Sequence, residues 1–430
     1  MALDPEQMRQ RRLEKQQQRQ AQHRKTMIKL AIAGVVLLLC AVLIVIVAWP
    51  KSGGENVAAT PSENTAAESE ATQETAAEPS SDPTEAPATT VIHLLAAGDF
   101  NVTEQVVNSG GANYDYTNML LDVGPVLAQG DLTVLNFEGN FYGAPYGTDR
   151  SAPEAMAKAL AKVGVDAVQL ANSYSIYKGM EGLASTISAV RSAGMDPLGV
   201  YATSQEAKEG KGYTIRNVRG VNIAFVAFTK GMDGMALPAG NDGCVNVLYK
   251  DYATDYQEVD TEGITKILKA VAKEKPDLTV AMLHWGSEFN DTISTSQQKI
   301  CSLMKENGVD AIIGTHAHYV QKMEFDQETG QFVAYSLGDF AGDAARAGSE
   351  YSVILDLEIT KDNETRETKI TGYTYTPIFI SAQKGKPVRV LRIHEAMKAF
   401  ESNYIDRVTQ AEYDAMVYAL GRIEARIAGE

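Results

Sequence analysis

The chain has 430 residues, more than a single hydrophobic core ordinarily serves, so two or more structural units are expected. Hydrophobic residues at 44% and charged residues at 22% are the proportions of globular material. A net charge of −16 argues against nucleic acid as a partner, because phosphate binding needs concentrated Lys and Arg, and three cysteines are too few for a disulfide framework.

Residues 1–29 carry eight bases against Asp4, Glu6 and Glu14, a net +5, and form a basic tail. Leu30 to Trp49 then runs for 20 residues without a charge. At about 1.5 Å per residue a helix of that length spans roughly 30 Å, the hydrocarbon thickness of a bilayer, and predicts one transmembrane anchor. A cleaved signal peptide is the competing reading, but its apolar core is usually shorter and its basic region less extended. The positive flank places the N-terminus in the cytoplasm and the C-terminal mass outside the cell. Residues 51–90 are made of Ala, Thr, Ser, Glu and Pro, with eight acids against the single base Lys51. Without aromatics, such a segment cannot bury enough surface to fold and reads as a disordered acidic linker. As a flexible tether its 40 residues span on the order of 35 Å.

From Val91 onward short apolar runs, rich in β-branched residues, end in polar residues and alternate with helical stretches. VIHLLAAGDF ends at Asp99, DLTVLNFEGN at Asn136 and Glu138, and DAVQLANSY at Asn172, Ser173 and Tyr174. VNIAFVAFT ends near Thr229, DLTVAMLHWGSE at His284 and Glu288, and DAIIGTHAH at His316 and His318. Helices are predicted over 154–162, 179–193, 263–273 and 294–307. Alternation of this kind implies βαβ units and a largely parallel sheet, covered on both faces. Val163–Asn172 resembles Asn307–His316: each has a Gly past a helix, then an Asp that turns the chain into a strand. GQFVAYSLGDF and YSVILDLEIT are expected to add antiparallel strands, and residues 386–430 a helical extension. Cys40 sits in the apolar segment, while Cys244 and Cys301 either pair or stay reduced.

In open α/β sheets ligands bind beyond the carboxyl ends of the strands. Here separate strand ends deliver Asp99, Glu138, His284, and His316 with His318. Carboxylate and imidazole suit Mn, Fe or Zn, so one or two divalent ions are expected. Residues i and i+2 of a strand share a face, so both rings of His316-x-His318 enter one cavity if that strand stays extended. Each residue has a plain structural role as an alternative: a turn cap for Asp99, a loop acid for Glu138, a packed ring for His284. His93, inside a strand, and His394, in a helix, read as structural.

With AAGDF, LNFEG, LANSYSIYKG, LHWGSEF, IIGTHAHYVQ and AYSLGDF in this order, residues 91–385 resemble the bacterial CapA family of poly-γ-glutamate capsule synthesis proteins, which share the calcineurin-like metallophosphoesterase fold. The resemblance implies a four-layer αββα sandwich with two metals at the strand ends. It places Asp99, Glu138, His284 and His316 as metal ligands and Ser173 at a further ligand position. Tyr174 and His318 fall where the reaction would be served; behind the ligands, Asn136, Asn172 and Asp339 are read as residues that hold them in place, and Glu288 as the partner that orients His284. The third motif departs from the family's Ala-Asn-Asn-His: Ser173 and Tyr174 stand at its last two positions. A neutral hydroxyl is a poorer ligand than an amide carbonyl. A tyrosine with a reference pKa of about 10, against roughly 6.5 for histidine, is badly placed to exchange protons near neutrality. Asp339 replaces an Asn and Ala317 a Pro. Three readings follow: a membrane-anchored protein for synthesis, export or retention of an anionic envelope polymer, working with that polymer or its synthesis proteins; a metal-dependent phosphoesterase or polymer hydrolase; or a non-catalytic interaction domain.

Overall fold

A computed structural model describes residues 88–403 and 408–430. The expected basic tail, the anchor and nearly all of the linker lie outside these residues. Among the described residues no helix is long and apolar enough to cross a membrane.

Two sheets form the frame. The first runs β14-β13-β12-β1-β2-β3-β4 and the second β5-β6-β7-β8-β10-β9. In the first, β1 (Thr89–Asn101), β2 (Leu132–Glu138), β3 (Ala167–Gln169) and β4 (Asp196–Leu198) are parallel. On the other side of β1, β12 (Tyr351–Asp362), β13 (Thr368–Ser381) and β14 (Arg389–Arg392) are antiparallel. In the second sheet, β6 (Val221–Thr229), β7 (Leu278–His284), β8 (Ala311–Thr315) and β10 (Phe332–Ala334) are parallel. The antiparallel strands β5 (Tyr213–Val218) and β9 (Met323–Phe325) form its edges.

Successive side chains of a strand point to opposite faces, and here that alternation sorts them into three cores. Leu94 and Ala96 of β1 join Phe225, Met282 and Ile313 between the sheets. Leu95 and Ala97 face outward onto Met156 and Leu160 of α1 (Glu154–Lys162) and Leu183 and Ile187 of α2 (Gly179–Ser192). On the far side, Val226 and Leu283 pack under Leu268 of α3 (Thr261–Glu274) and Ile300 of α4 (Thr295–Glu306). The order is helix, sheet, sheet, helix, as the resemblance implies. Burial on both faces explains the near-continuous apolar runs.

At the amino-terminal ends of the parallel strands the register is set by one repeated device. Asp131, Asp166, Asp277 and Asp310 each donate the backbone N–H to a neighbouring strand's carbonyl, at 2.8–2.9 Å. Their carboxylates accept the N–H of the same neighbours, His93, Thr133, Asn222 and Thr279, at 2.7–2.9 Å. Asp166 and Asp310 are the aspartates of the two similar segments, so that likeness marks a strand-entry device. Gly164 and Gly308, at φ +104° and +83°, precede them.

Three expectations are corrected. The stretch 331–341 does not pair antiparallel with 351–360: β10 runs parallel to β8 and antiparallel to β9, and β11 (Asp339–Ala341) runs parallel to β1, while β12 is antiparallel as expected. The chain leaves one sheet and enters the other through Tyr335–Gly338. Residues 386–430 are not wholly helical, because β14 completes the first sheet; only α5 (Ile393–Glu401) and α6 (Gln410–Ala428) are helices, and Met416 and Ile423 of α6 join the inter-sheet core. The linker also stops short of Thr90, since β1 begins at Thr89. Cys244 and Cys301 are both buried and free, in different cores.

The crossing segment demands glycine where it touches each sheet. A Cβ on Gly98 would lie 1.8 Å from the carbonyl oxygen of Gly338, and one on Gly314 would lie 1.9 Å from that of Tyr335. Both obstacles are backbone, which cannot rotate away. Gly98→Ala and Gly314→Ala are each expected to cost about 3 kcal/mol or more. Denaturant unfolding of the purified chain checks this, and a loss within about 0.5 kcal/mol would show that the crossing can yield.

Candidate metal centre

The carboxyl ends of β1, β2, β7 and β8 and the amino end of β11 meet at one place, and the sequence has put an acid or an imidazole at or just beyond each. Asp99 and His284 are fully buried and Glu138, His316, His318 and Asp339 are nearly so. They fall into two groups, Glu138 with His284 and His316, and Asp99 with His318 and Asp339; within each, the possible ligand atoms lie within 4.8 Å of one another.

In the first group His284 is the hub. Its Nε2 lies 3.0 Å from Nδ1 of His316, 3.0 Å from Oγ of Ser173 and 3.4 Å from Oε1 of Glu138. Its Nδ1 meets Oγ1 of Thr315 at 3.0 Å. With that nitrogen protonated toward Thr315, Nε2 presents its lone pair to the group. In the second group Nδ1 of His318 is 2.7 Å from Oδ1 of Asp339 and 3.7 Å from Oδ2 of Asp99. Asn101, two residues beyond Asp99, donates to Asp339 at 2.9 Å. Asn136 links the groups, donating Nδ2–H to Oδ1 of Asp99 at 2.6 Å and to Oε1 of Glu138 at 3.2 Å. Asn172 donates in turn to Oδ1 of Asn136 at 3.1 Å.

Burial decides the charges. It pushes Asp99 up to about 7 and Glu138 up to about 8, and neighbouring carboxylates add to the effect. Asp339 is raised too, burial outweighing the adjacent His318 and Asn101. His284 and His316 are held well below the usual histidine value by burial and by the other positive groups nearby. Burial also works against a charged His318, but Asp339, Glu138 and Asp99 outweigh it and push its pKa up to about 10. The directions on His318 and Asp339 pull against each other as an ion pair; the 2.7 Å contact favours the proton resting on His318. Three carboxylates crowded out of water beside two neutral imidazoles are the donor chemistry of a divalent cation. The residues present fit such an ion.

The structure brings together Asp99, Glu138, Ser173, His284, His316 and His318, and it sets Asn136 and Asn172 behind them. Four expectations change in detail. β8 ends at Thr315, and His316 and His318 take left-handed backbone, at φ +86° and +57°, so their rings converge through a turn and not along an extended strand. Non-glycine residues held there carry strain that the surrounding fold must hold in place. Glu288 is exposed on the loop after β7 and does not orient His284, whose Nδ1 is met by Thr315 and, at 3.3 Å, by Asn136. Asp339 stands as a possible ligand beside His318, not only as support. Tyr174 lies at the outer edge, its hydroxyl accepting from Arg150 at 2.9 Å, and burial raises its pKa further from neutrality. Thr315 and Asn101 were not anticipated, although Asn101 shares the strand face of Asp99 by the period of two.

Residues 93–344 match the family described as Bacterial capsule synthesis protein PGA_cap. The chain is similar to the Capsule biosynthesis protein CapA of Bacillus anthracis, 27% identical over 294 residues that cover 66% of each chain. It is also similar to the PGA biosynthesis protein CapA of Bacillus subtilis, 24% identical over 66% of this chain and 70% of that one. It thus spans about two thirds of the length of these curated relatives. Among solved structures, the calcineurin-like phosphoesterase YfkN from Bacillus subtilis aligns at 15% identity and a TM-score of 0.42, over 78% of this chain and 97% of that one.

Elemental analysis of the purified chain should find divalent metal, and His316→Ala should lower the content by about one equivalent while the Asp99–His318–Asp339 group keeps its own. Affinity for added Mn²⁺ after stripping should fall as pH drops from about 8 to about 6. A cation must displace the protons that the raised carboxyls of Glu138 and Asp99 hold in that window, at roughly tenfold per proton per pH unit. Calorimetry in buffers of differing ionisation enthalpy reads those protons, and an affinity flat across the window would remove these carboxylates as ligands.

Proposed function

Because the chain belongs to the bacterial capsule synthesis protein family PGA_cap, we propose that it serves the synthesis, export or retention of an anionic envelope polymer of the poly-γ-glutamate kind, working with that polymer or its synthesis proteins at the outer face of the cell membrane. One observation carries the reading: in a chain of this family, two carboxylate–imidazole groups converge at the strand ends. The names of its relatives concern capsule and PGA biosynthesis. The 20 uncharged residues from Leu30 to Trp49, behind a basic flank, support a single-pass anchor with the N-terminus cytoplasmic and the C-terminal domain extracellular.

Asp99, Glu138, Asp339, His284, His316 and His318 are the residues that would hold one or two divalent ions, with Mn, Fe or Zn favoured by mixed carboxylate and imidazole donors. Such an ion supplies Lewis acidity and lowers the pKa of a bound water. The chain's own contribution is positional. Thr315 fixes the His284 ring, Asn136, itself held by Asn172, holds the two carboxylates of the strand ends, and His318 carries against Asp339 a proton that an ion bound there must displace.

A second reading is hydrolysis of a phosphoester or of the polymer's amide by the same groups, with Ser173 and Tyr174 weakening the chemistry at the third motif. The Ser173 hydroxyl lies 3.0 Å from Nε2 of His284 and keeps a polar contact to the group. A purely non-catalytic interaction role would leave the buried charges without a use.

In the source organism, replacing the chain by a Glu138→Gln/His284→Ala variant should reduce cell-bound polymer to the level of the deletion. Polymer quantified on intact cells and in the medium separates lost synthesis from lost retention. Full rescue by this variant would show that the metal groups are dispensable and leave the interaction role.

A further inference from the structure

Three cations ring the outer side of the two groups, on loops from both sheets, and each lies over an aromatic ring. Arg150, after β2, places its guanidinium 4.4 Å from the ring centroid of Tyr174 and donates to that hydroxyl at 2.9 Å. Lys230, directly after β6, has its ammonium 4.7 Å from the centroid of Tyr256 and donates to the carbonyl of Gly286 at 2.8 Å. Arg346, after β11, holds its guanidinium 4.8 Å from the centroid of Phe289, whose ring stacks on His318 at 4.9 Å.

Among the described residues a fourth cation, Arg426, lies over aromatic rings, those of Tyr319 and Tyr351, but it is paired with Asp291. Lys178, Lys211 and Lys361 are paired with Asp149, Glu274 and Asp277. Among the described residues Arg150, Lys230 and Arg346 have no carboxylate within 4.0 Å. Their charge is nevertheless felt inside: Arg150 acts on Glu138, and Lys230 acts on His284 and His316. Glu288 acts on Lys230 from farther off, and Arg150 also donates to the carbonyl of Val102 at 3.4 Å, but a cation over a ring with no carboxylate in contact keeps part of its hydrogen-bonding capacity for something that arrives from outside. The three stand on separate loops beside different parts of the site, Arg150 at Tyr174, Lys230 at Gly286 and Arg346 at the Phe289 ring that stacks on His318, and so offer separate anion contacts.

We propose that Arg150, Lys230 and Arg346 form a recognition rim that takes successive carboxylates of an anionic chain and lays that chain across the site; this rests on the polymer reading above. Substrate specificity thus lies in the loops, outside the ligand groups, in residues that no motif of the sequence marks.

The test uses the full chain in detergent with Mn²⁺ and a fluorescently labelled poly-γ-glutamate oligomer, read by anisotropy at two salt concentrations. Arg150→Gln, Lys230→Gln and Arg346→Gln should each weaken binding by about fivefold or more and flatten its salt dependence, in line with the loss of one charge-assisted contact. Arg346→Lys should retain most of the affinity, and Lys369→Gln, an exposed cation on β13, should leave it unchanged. Arg346 is itself exposed, so its variants carry little risk of misfolding, and melting curves monitor all of them. If the natural chain binds the oligomer and the rim variants bind equally well, the rim is refuted and the polymer reading stands. If the natural chain does not bind the oligomer, both fall. Displacement by equimolar inorganic phosphate would assign the rim to compact anions and overturn the chain-binding proposal.

Discussion

The structure turns on the passage of one short segment, Tyr335–Gly338, from the second sheet to the first. Its carbonyls press against Gly314 and Gly98 at distances that leave no room for a side chain. The hydrogen bond from the Asp99 amide to the carbonyl of Gly338, at 3.0 Å, fastens it to β1. This contact draws the carboxyl ends of β1 and β8 together, so that Asp99 reaches the amide of His316 at 2.9 Å. It also delivers Asp339 to His318. Without it the two sheets would still pack through their apolar faces, but their polar ends would not meet as a site.

Bringing those ends together removes three carboxylates from water, a cost that can be met only by protons, by hydrogen bonds or by a cation. All three kinds of relief are visible or provided for. Asn136 and Asn101 donate to the acids, His318 carries a proton among them, and the unprotonated faces of His284 and His316 complete a donor set. The outer loops continue the same electrostatic logic with opposite sign, since the cations there have no carboxylate in contact.

Much of this was legible in the sequence. Long apolar runs ending in Asp99, Glu138 and His284 reported buried strands and their termini, because strands covered on both faces leave little room for ambiguity. The four main helices also fall close to their expected limits. What failed was information the local pattern does not contain. A three-residue strand such as β10 or β11 has no periodicity that states its direction; a distant partner decides it. The left-handed turn at His316 and His318 is invisible because histidine gives no signal of it, as glycine would. Glu288 lay near enough in sequence to suggest an orienting role, yet Thr315, adjacent to His316, holds the ring. Arg150, Lys230 and Arg346 belong to no shared motif, and only the folded loops bring each of them near the two groups.

The four strand-entry aspartates have a consequence for how such a protein can diverge. They fix register at the pole opposite the site, through contacts that owe nothing to Ser173, Tyr174, Ala317 or Asp339. Ser173, Ala317 and Asp339 lie at the other pole, beside the two groups. A scaffold whose alignment is secured at one end can have its chemistry rewritten at the other, one side chain at a time, without passing through unfolded intermediates. Loss, retention or replacement of an activity then becomes a matter of a few substitutions on a stable frame.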